Sequence, residues 1–576
     1  METVEHKSNQ KAKTQQQMNG AQAVVHSLLA EGVDLIFGYP GGAIMPVYDA
    51  LYDYEDELNH ILVRHEQGAT HAAQGYARAS GKVGVCIATS GPGATNLITG
   101  IADAQIDSTP MVCITGQVAS PLLGTDAFQE TDVIGISMPV TKWNYQVTRA
   151  SEIPGALAKA FYIARTGKPG PVLVDITKDA QFEMLEFSYK PFEGMRSYVT
   201  CPTLNLSKVQ QAAEIINSAK RPLVLFGQGV ILSGAESQFQ NFIEKAGLPS
   251  AWTIMGLSAL DSDHYLNVGM LGMHGNYAPN KLTNACDVLI AVGMRFDDRV
   301  TGDLSRYAKQ AKVIHLEIDP AEVDKNVKAD VAILGDAKEA LEALGQFVER
   351  QEHKEWLQEF RKLEFEEYSE VIMEELNPSQ EELTMGEVIR SVNDHTEGKA
   401  IVVTDVGQHQ MVSCRYAKFK QSRSLITSGG LGTMGFCLPA AIGAKFAQPL
   451  RDVIAVIGDG GFQMTIQELG TIFQTKIPVK IVVLNNEFLG MVRQWQELFF
   501  DKRYASTTMI NPDFQKIVEG YDIKSKKVTE REQLNGAVQE MLDFEGAYFL
   551  EVMVGKENNV FPMIPTGASV SEIRLK

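Results

Sequence analysis

Two segments near opposite ends of this 576-residue chain follow one plan. Gly84-Val-Cys-Ile-Ala-Thr-Ser-Gly-Pro-Gly93, a helical stretch and Thr109-Pro-Met-Val-Cys-Ile-Thr-Gly116 parallel Val453 to Gly461, a helical stretch and Ile477-Pro-Val-Lys-Ile-Val-Val-Leu484. The Gly-x-Gly to Pro spacing agrees to within one residue. Continuous β-branched runs of this length read as strands buried on both faces, and parallel neighbours of that kind need a helical crossover between them. The pattern therefore predicts two copies of one strand-glycine-helix-proline-strand unit; the general likeness of βαβ units is the alternative.

From about Met18 the same alternation continues, and Lys220-Arg-Pro-Leu-Val-Leu-Phe-Gly-Gln-Gly229 opens a third α/β segment that ends near Phe347. The expected fold class is α/β, with three doubly wound parallel-sheet domains: two similar outer ones at 18–185 and 378–560, and a middle one at 205–347. Pro191, Gly194 and Pro202 mark the first connector. The second, about 350–378, is strongly charged, reads as helical and ends at Asn377-Pro378. Residues 1–17, polar and rich in Gln and Lys, are expected to be a disordered tail, and 561–576 a C-terminal tail.

A net charge of -19 argues against nucleic-acid partners and against docking on anionic membranes, both of which need basic patches. No apolar run approaches the roughly 20 residues that span a bilayer. The six cysteines are scattered, form no C-x-x-C and mostly sit in apolar runs, as buried thiols in a reducing compartment do; a cytoplasmic chain is expected.

One copy of the repeated unit carries chemistry that the other lacks. Ile454-Ala-Val-Ile-Gly-Asp-Gly-Gly461 and Ile481-Val-Val-Leu-Asn-Asn486 each end at the carboxyl end of a strand, where open α/β sheets bind ligands. Asp459 offers a carboxylate and Asn486 an amide oxygen, the hard ligands that Mg²⁺ takes when phosphate oxygens complete its shell. Gly458, Gly460 and Gly461 let main-chain N–H groups approach a phosphate at a helix N-terminus. The first unit has Gly91-Pro-Gly93 in place of Gly458-Asp-Gly460 and no Asn pair. A cofactor gripped at both ends would explain the asymmetry, with the two domains meeting within one chain or across a dimer.

In the first domain, Phe37-Gly-Tyr-Pro-Gly-Gly-Ala-Ile44 is a strand end and glycine turn, and Leu62-Val-Arg-His-Glu-Gln-Gly68 leads into a small-residue helix. Glu66 there is either a partly desolvated acid suited to sharing a proton with a ring nitrogen or an exposed helix N-terminal glutamate.

Together Glu66, Thr89-Ser-Gly-Pro-Gly-Ala-Thr-Asn96, Gly458-Asp-Gly460 and Asn485-Asn486 resemble the three-domain thiamine-diphosphate enzymes that decarboxylate pyruvate. Ala127-Phe-Gln-Glu130, Gly272-Met-His-Gly275, Arg295-Phe-Asp-Asp-Arg299 and Gly490-Met-Val-Arg-Gln-Trp495 narrow the resemblance to the catalytic subunit of acetohydroxyacid synthase, also called acetolactate synthase.

That resemblance implies a reaction. Pyruvate loses CO₂ with the thiazolium ring as electron sink, and the two-carbon unit adds to a second 2-ketoacid. The products are 2-acetolactate from pyruvate or 2-aceto-2-hydroxybutyrate from 2-ketobutyrate, the first common step of branched-chain amino-acid biosynthesis. It implies that Glu66 activates the cofactor ring, with Gly42, Gln129 and Lys178 at the reacting centre. Pro40, Gln408, His409, Gln410, Met434 and Met491 join the clamp residues around thiamine diphosphate, and the main chain of Phe488 joins Asp459 and Asn486 on Mg²⁺. Trp495, Arg299 and Gln129 would meet substrate.

A non-redox FAD is implied for the middle domain, through Lys168, Gly227, Gly229, His274, Arg295, Asp298, Glu317, Asp319 and Asp336. Homo-oligomers, dimer or tetramer, and a small regulatory subunit are the implied partners. Two positions depart from the family pattern. Lys168 stands where many relatives have an arginine for the flavin, and Val412 replaces a common tryptophan. A thiamine-dependent pyruvate oxidase or decarboxylase and a catalytically inactive regulatory homologue are the competing readings.

Overall fold

A computed structural model describes residues 16–576. Among them are three six-stranded sheets, every strand pairing in parallel, and one two-stranded antiparallel ribbon. The first sheet runs Asn59–Leu62, Leu35–Gly38, Gly84–Ala88, Met111–Gln117, Pro171–Thr177, Trp143–Val147. The last runs Leu425–Ile426, Ile401–Thr404, Val453–Gly458, Lys480–Asn485, Tyr548–Met553, Lys524–Val528. Numbered within their own domains, both have the order 2-1-3-4-6-5. Shared order over six strands supports duplication more strongly than the likeness of single βαβ units does.

The middle sheet has a different order. Asn267–Met270, Ser250–Trp252, Pro222–Phe226, Val288–Val292, Lys312–Glu317 and Val331–Leu334 read 3-2-1-4-5-6. That is the doubly wound dinucleotide-binding order, whose switch point lies between its first and fourth strands. The strand Pro222–Phe226 ends there in Gly227, and Val288–Val292 ends in Gly293.

The strands are continuous apolar runs because helices cover both faces of each sheet; Gly84–Ala88, Met111–Gln117 and Val453–Gly458 are buried along their whole length. The outer domains meet through two helices, Glu66–Ser80 and Cys437–Ala447. They cross so closely that a Cβ on Gly75 would lie 1.9 Å from the Ala440 carbonyl oxygen, and one on Gly443 1.8 Å from that of Ala72. Only glycine fits at these two points.

Both ends of the chain correct the sequence reading. The tail expected over 1–17 lies outside the described residues except for Gln16 and Gln17, which form strand Gln16–Asn19 against Met184–Phe187. That pairing carries the first domain past residue 185. The stretch 561–576 is no free tail. Ile564, Val570 and Ile573 are buried in the middle domain's core, and Ser569 bridges to Gly302. The connector is helical over Lys354–Leu376, with a π-helical turn at Tyr368–Ile372. No helix among the described residues is long and apolar enough to cross a membrane.

Candidate functional site

In the first domain the carboxyl ends of three strands converge. Pro40 and Gly42 follow Leu35–Gly38, the Gly91-Pro-Gly93 turn follows Gly84–Ala88, and Lys178 follows Pro171–Thr177. Cross-links hold these loops together: Ala43 N donates to Thr89 Oγ1 at 3.2 Å and Gln181 Nε2 to Ala43 O at 2.8 Å. Gly42 is exposed, with open space where a Cβ would be, so its main chain is accessible.

Glu66 is the first residue of helix Glu66–Ser80, with His65 as the N-cap, and is half-buried. Asn96 Nδ2 donates to its Oε2 at 2.9 Å, and its Oε1 faces Gly93, 3.5 Å from where a Cβ there would sit. Gln129, held at φ 60, lies over the same turn, its carbonyl oxygen 2.9 Å from a Cβ on Gly91. Glu66, Gln129 and the glycine turn thus share one corner. Asn96 was within a quoted motif, but its contact with Glu66 depends on the turn and so escaped the sequence reading.

The last domain repeats this layout with different groups. Asp459 is buried and begins the short helix Asp459–Met464. Its Oδ2 accepts from Asn511 Nδ2 at 2.7 Å, and the same nitrogen donates to Asn485 Oδ1 at 3.1 Å. Burial pushes the Asp459 carboxyl up to about 6, against the opposing pull of the Asn511 and Gly460 donors. Asn486 Nδ2 points away to Gln408 Oε1 at 3.3 Å, while its Oδ1 accepts from Phe488 N at 3.3 Å. Leu489 N bonds Thr507 O and Met509 N bonds Glu487 O, so the Phe488 carbonyl between them stays outside that ladder.

These donors fit a cation bridged by a diphosphate. Among the described residues no three His, Cys, Asp or Glu side chains gather into a metal group, so the protein's own oxygens are too few for a closed cage. One carboxylate, one amide and one main-chain carbonyl leave the remaining positions to phosphate and water. His409 adds a second sign of a missing partner. Its ring packs against Gly407 and Gly458, a Cβ on Gly458 falling 2.8 Å from Nδ1, and its buried Nε2 has no hydrogen-bond partner. Burial holds it neutral, near 3.

Gln408 is fixed by Gln494 at 3.0 Å and by the Asn558 carbonyl at 2.8 Å. Gln410 is committed to Thr427 Oγ1 and Ser428 O at 2.8 and 3.0 Å, which makes it a loop brace. The Met434 methyl lies 3.8 Å from where a Cβ of Gly460 would be. Its loop hangs on Asp405, whose buried carboxylate accepts from Gly435 N with both oxygens at 3.0 Å and from Cys437 N at 3.1 Å. Asp405 was overlooked in the sequence. Its strand-end position in Ile401-Val-Val-Thr-Asp405, matching that of Asp459, was the available signal.

Helix Gly490–Phe499 carries Met491 and Trp495, the latter half-buried with its ring 5.0 Å from Phe499. Arg299 is exposed, its nearest carboxylate Asp298 at 3.7 Å, and no described contact joins it to Lys178. Nor does any described contact join Glu66 to Asp459 within the chain. The exposed apolar side chains Tyr39, Met45, Leu122 and Phe128 of the first domain and Leu431, Met464 and Val492 of the last lie in the segments that carry these two corners.

At the middle-domain switch point the glycines serve the chain itself. A Cβ on Gly227 would meet the Gly293 carbonyl at 2.5 Å and one on Gly229 the Gly293 Cα at 2.6 Å, so the close approach they permit is between two loops. Lys168 ion-pairs with Asp319 at 3.4 Å and Glu322 at 3.2 Å, and Asp336 caps helix Ala337–Phe347. Asp298 is exposed and Arg295 half-buried. Glu317 ends its strand with burial raising it to about 7. His274 is buried with Nδ1 unpartnered, and Trp252 Nε1 is likewise orphaned, which fits a polar ligand in the crevice.

Residues 18–136, 209–344 and 405–552 match, in order, the N-terminal TPP binding, central and C-terminal TPP binding domains of thiamine pyrophosphate enzymes. Over 561 residues the chain is 47% identical to the acetolactate synthase isozyme 2 large subunit of Escherichia coli (strain K12), covering 96% of this chain and 99% of that one. It is 45% identical to the acetolactate synthase large subunit of Corynebacterium glutamicum, with 97% and 90% covered. For that of Lactococcus lactis subsp. lactis the figures are 44%, 98% and 97%.

Proposed function

Given that the chain belongs to the acetolactate synthase large-subunit family of thiamine pyrophosphate enzymes, we propose that it decarboxylates pyruvate and joins the two-carbon unit to a second 2-ketoacid, pyruvate or 2-ketobutyrate. This is the entry step to branched-chain amino acids. Bound thiamine diphosphate supplies the nucleophilic carbon and the electron sink.

The observation that carries the reading is the division of labour between two sheets of identical strand order: a free acid on one, a cation clamp on the other. Asp459, the Asn486 amide oxygen and the Phe488 carbonyl would hold Mg²⁺. The unpartnered His409 Nε2 and the amides of Gly458, Gly460 and Gly461 would receive the diphosphate, and Met434 and Met491 would pack against the rings. Glu66, with one oxygen tied to Asn96, keeps the other free to hold a proton against the pyrimidine nitrogen. Gly42 N–H and Gln129 orient the reacting carbonyl, Lys178 and Arg299 draw in the carboxylates, and Trp495 sets a wall for one extra methylene.

No contact joins Glu66 to Asp459 within one chain, and both corners lie in segments with exposed apolar side chains. This supports a homo-oligomer in which one copy's acid faces another's clamp. The middle crevice suits FAD by its strand order and its two unpartnered polar nitrogens, with Glu317 and Asp336 toward the adenosine end and Arg295 and His274 further along. A small regulatory subunit is the partner that the relatives' designation as large subunits points to, and the acidic composition and mostly buried free cysteines support a cytoplasmic site of action.

Supplying an equimolar mixture of pyruvate and 2-ketobutyrate, with and without FAD, tests the proposal. Expected are both acetohydroxyacids, 2-aceto-2-hydroxybutyrate in excess, and more product with FAD. Acetaldehyde, acetyl phosphate or peroxide as the main product would overturn it.

A further inference from the structure

A cavity of about 340 Å³ lies where all three domains meet, within the size range of small-molecule sites. On the middle domain Gln228, Ile254 and Met255 place it next to the strand ends of the switch-point crevice. On the first domain it is lined by the residues that enter the strands, such as Asp34 before Leu35–Gly38 and Pro110 before Met111–Gln117, whereas Gly42, Glu66 and Gly91 gather at the strands' exits.

Its walls are largely apolar, from Phe161, Ile231 and Met255, and most of its charges are spoken for. Glu31 pairs with Arg165 at 2.5 Å, Asp34 with Lys82 at 2.8 Å and Arg78 with Asp107 at 2.9 Å. Arg423 is the exception. Half-buried and held at φ 57, it donates to the Arg78 carbonyl at 3.3 Å and the Ile231 carbonyl at 3.0 Å, and among the described residues no carboxylate ion-pairs with it. A non-glycine residue in the left-handed region costs of order 1–3 kcal/mol and persists where its surroundings impose it. Here that conformation sets a cation in an apolar hollow, touching all three domains.

We propose that this cavity is a binding site for a small carboxylate with a compact apolar body, its carboxylate on Arg423 and its hydrocarbon against Phe161, Ile231 and Met255. The guanidinium can take a carboxylate through two parallel hydrogen bonds. The site is wired to the cofactor loop. Arg78 holds Asp107, whose carboxylate accepts from Gly429 N and Gly430 N, both at 2.8 Å, at the start of the loop that carries Met434.

Calorimetric titration of the full chain, loaded with thiamine diphosphate and Mg²⁺, tests this with isovalerate and its uncharged analogue isovaleramide. Isovalerate is expected to bind with a Kd of about 1 mM or tighter and the amide at least about tenfold more weakly. Arg423→Gln should erase that preference. Leu232→Trp, which fills the cavity and leaves Arg423 in place, should abolish binding with acetolactate turnover kept within about twofold. The wild-type comparison of acid with amide stands even if a variant fails to fold. Equal binding of acid and amide, no heat with isovalerate at about 10 mM, undiminished binding to a folded Arg423→Gln, or displacement of isovalerate by FAD would each overturn the proposal.

Discussion

Acidification through about pH 6 should loosen the cation clamp, and removing Asn511 should move that transition to higher pH. Burial raises the Asp459 carboxyl from 3.8 to about 6, so between about pH 4 and pH 6 the apo protein holds a proton there that the unfolded chain would have released. A divalent cation binds only the carboxylate and must displace that proton. For a group titrating at about 6 the ionised fraction falls from about nine-tenths at pH 7 to about one-tenth at pH 5, a roughly tenfold loss of apparent Mg²⁺ affinity, or about 1.4 kcal/mol. Asn511 Nδ2 donates to this carboxyl at 2.7 Å. A hydrogen bond to a charged group is worth about 1.5–3 kcal/mol, so Asn511→Ala should raise the midpoint by about one to two pH units. The cofactor's diphosphate titrates in the same range, but equally in both proteins, so the difference between the two curves belongs to the carboxyl. Mg²⁺-dependent binding of thiamine diphosphate, followed by tryptophan fluorescence from pH 5 to 8, gives both midpoints. Coincident curves, or a wild-type affinity flat between pH 5 and 7, would refute the reasoning.

Four further outcomes follow from the geometry. Glu66→Gln keeps the Asn96 contact but loses the exchangeable proton; turnover should fall about 10²–10⁴-fold while thiamine diphosphate affinity changes little, as steady-state kinetics and a binding titration would show. Trp495→Leu removes the aromatic wall and should cut the ratio of 2-aceto-2-hydroxybutyrate to acetolactate by about tenfold in mixed-substrate product analysis. Gly443→Ala drives a Cβ to 1.8 Å from the Ala72 carbonyl, which is main chain and cannot step aside, and should cost about 1–3 kcal/mol or more in denaturant unfolding. Gly345→Ala, on helix Ala337–Phe347 with open space around it, should instead be neutral or stabilise by up to about 1 kcal/mol.

The architecture was legible because it is written in local patterns. β-branched runs between glycine turns mark buried parallel strands wherever they occur, and the repeated spacing around Gly93 and Gly460 reappears as two sheets of one strand order. Strand order itself was not legible, since nothing local says which strands neighbour one another; the 3-2-1-4-5-6 sheet became visible only in three dimensions. The strand-end positions of the candidate clamp residues Asp459 and Asn486 were readable. Their supports were not. Asn511 reaches Asp459 across 52 residues, and Asp405 braces the Met434 loop from another strand. Gly227 and Gly229 looked like a ligand cradle because close approach needs glycine, yet the sequence does not say what approaches, and Gly293 does. The C-terminal segment resembled a tail because it is short and irregular, but it is anchored by three apolar side chains spaced too unevenly to announce an element.

The central claim is a carboligation that depends on an acid from one domain and a cation clamp from another. The most direct test is the product balance from pyruvate alone, with thiamine diphosphate and Mg²⁺, in wild type, in Glu66→Gln, in Asp459→Asn and in an equimolar mixture of the two variants. The account predicts one acetolactate and one CO₂ per two pyruvates from wild type and near-complete loss in each variant alone. In the mixture, subunits that exchange should restore part of the activity, because some sites then pair an intact acid with an intact clamp. Full turnover in either variant, or acetaldehyde in place of acetolactate, would contradict it.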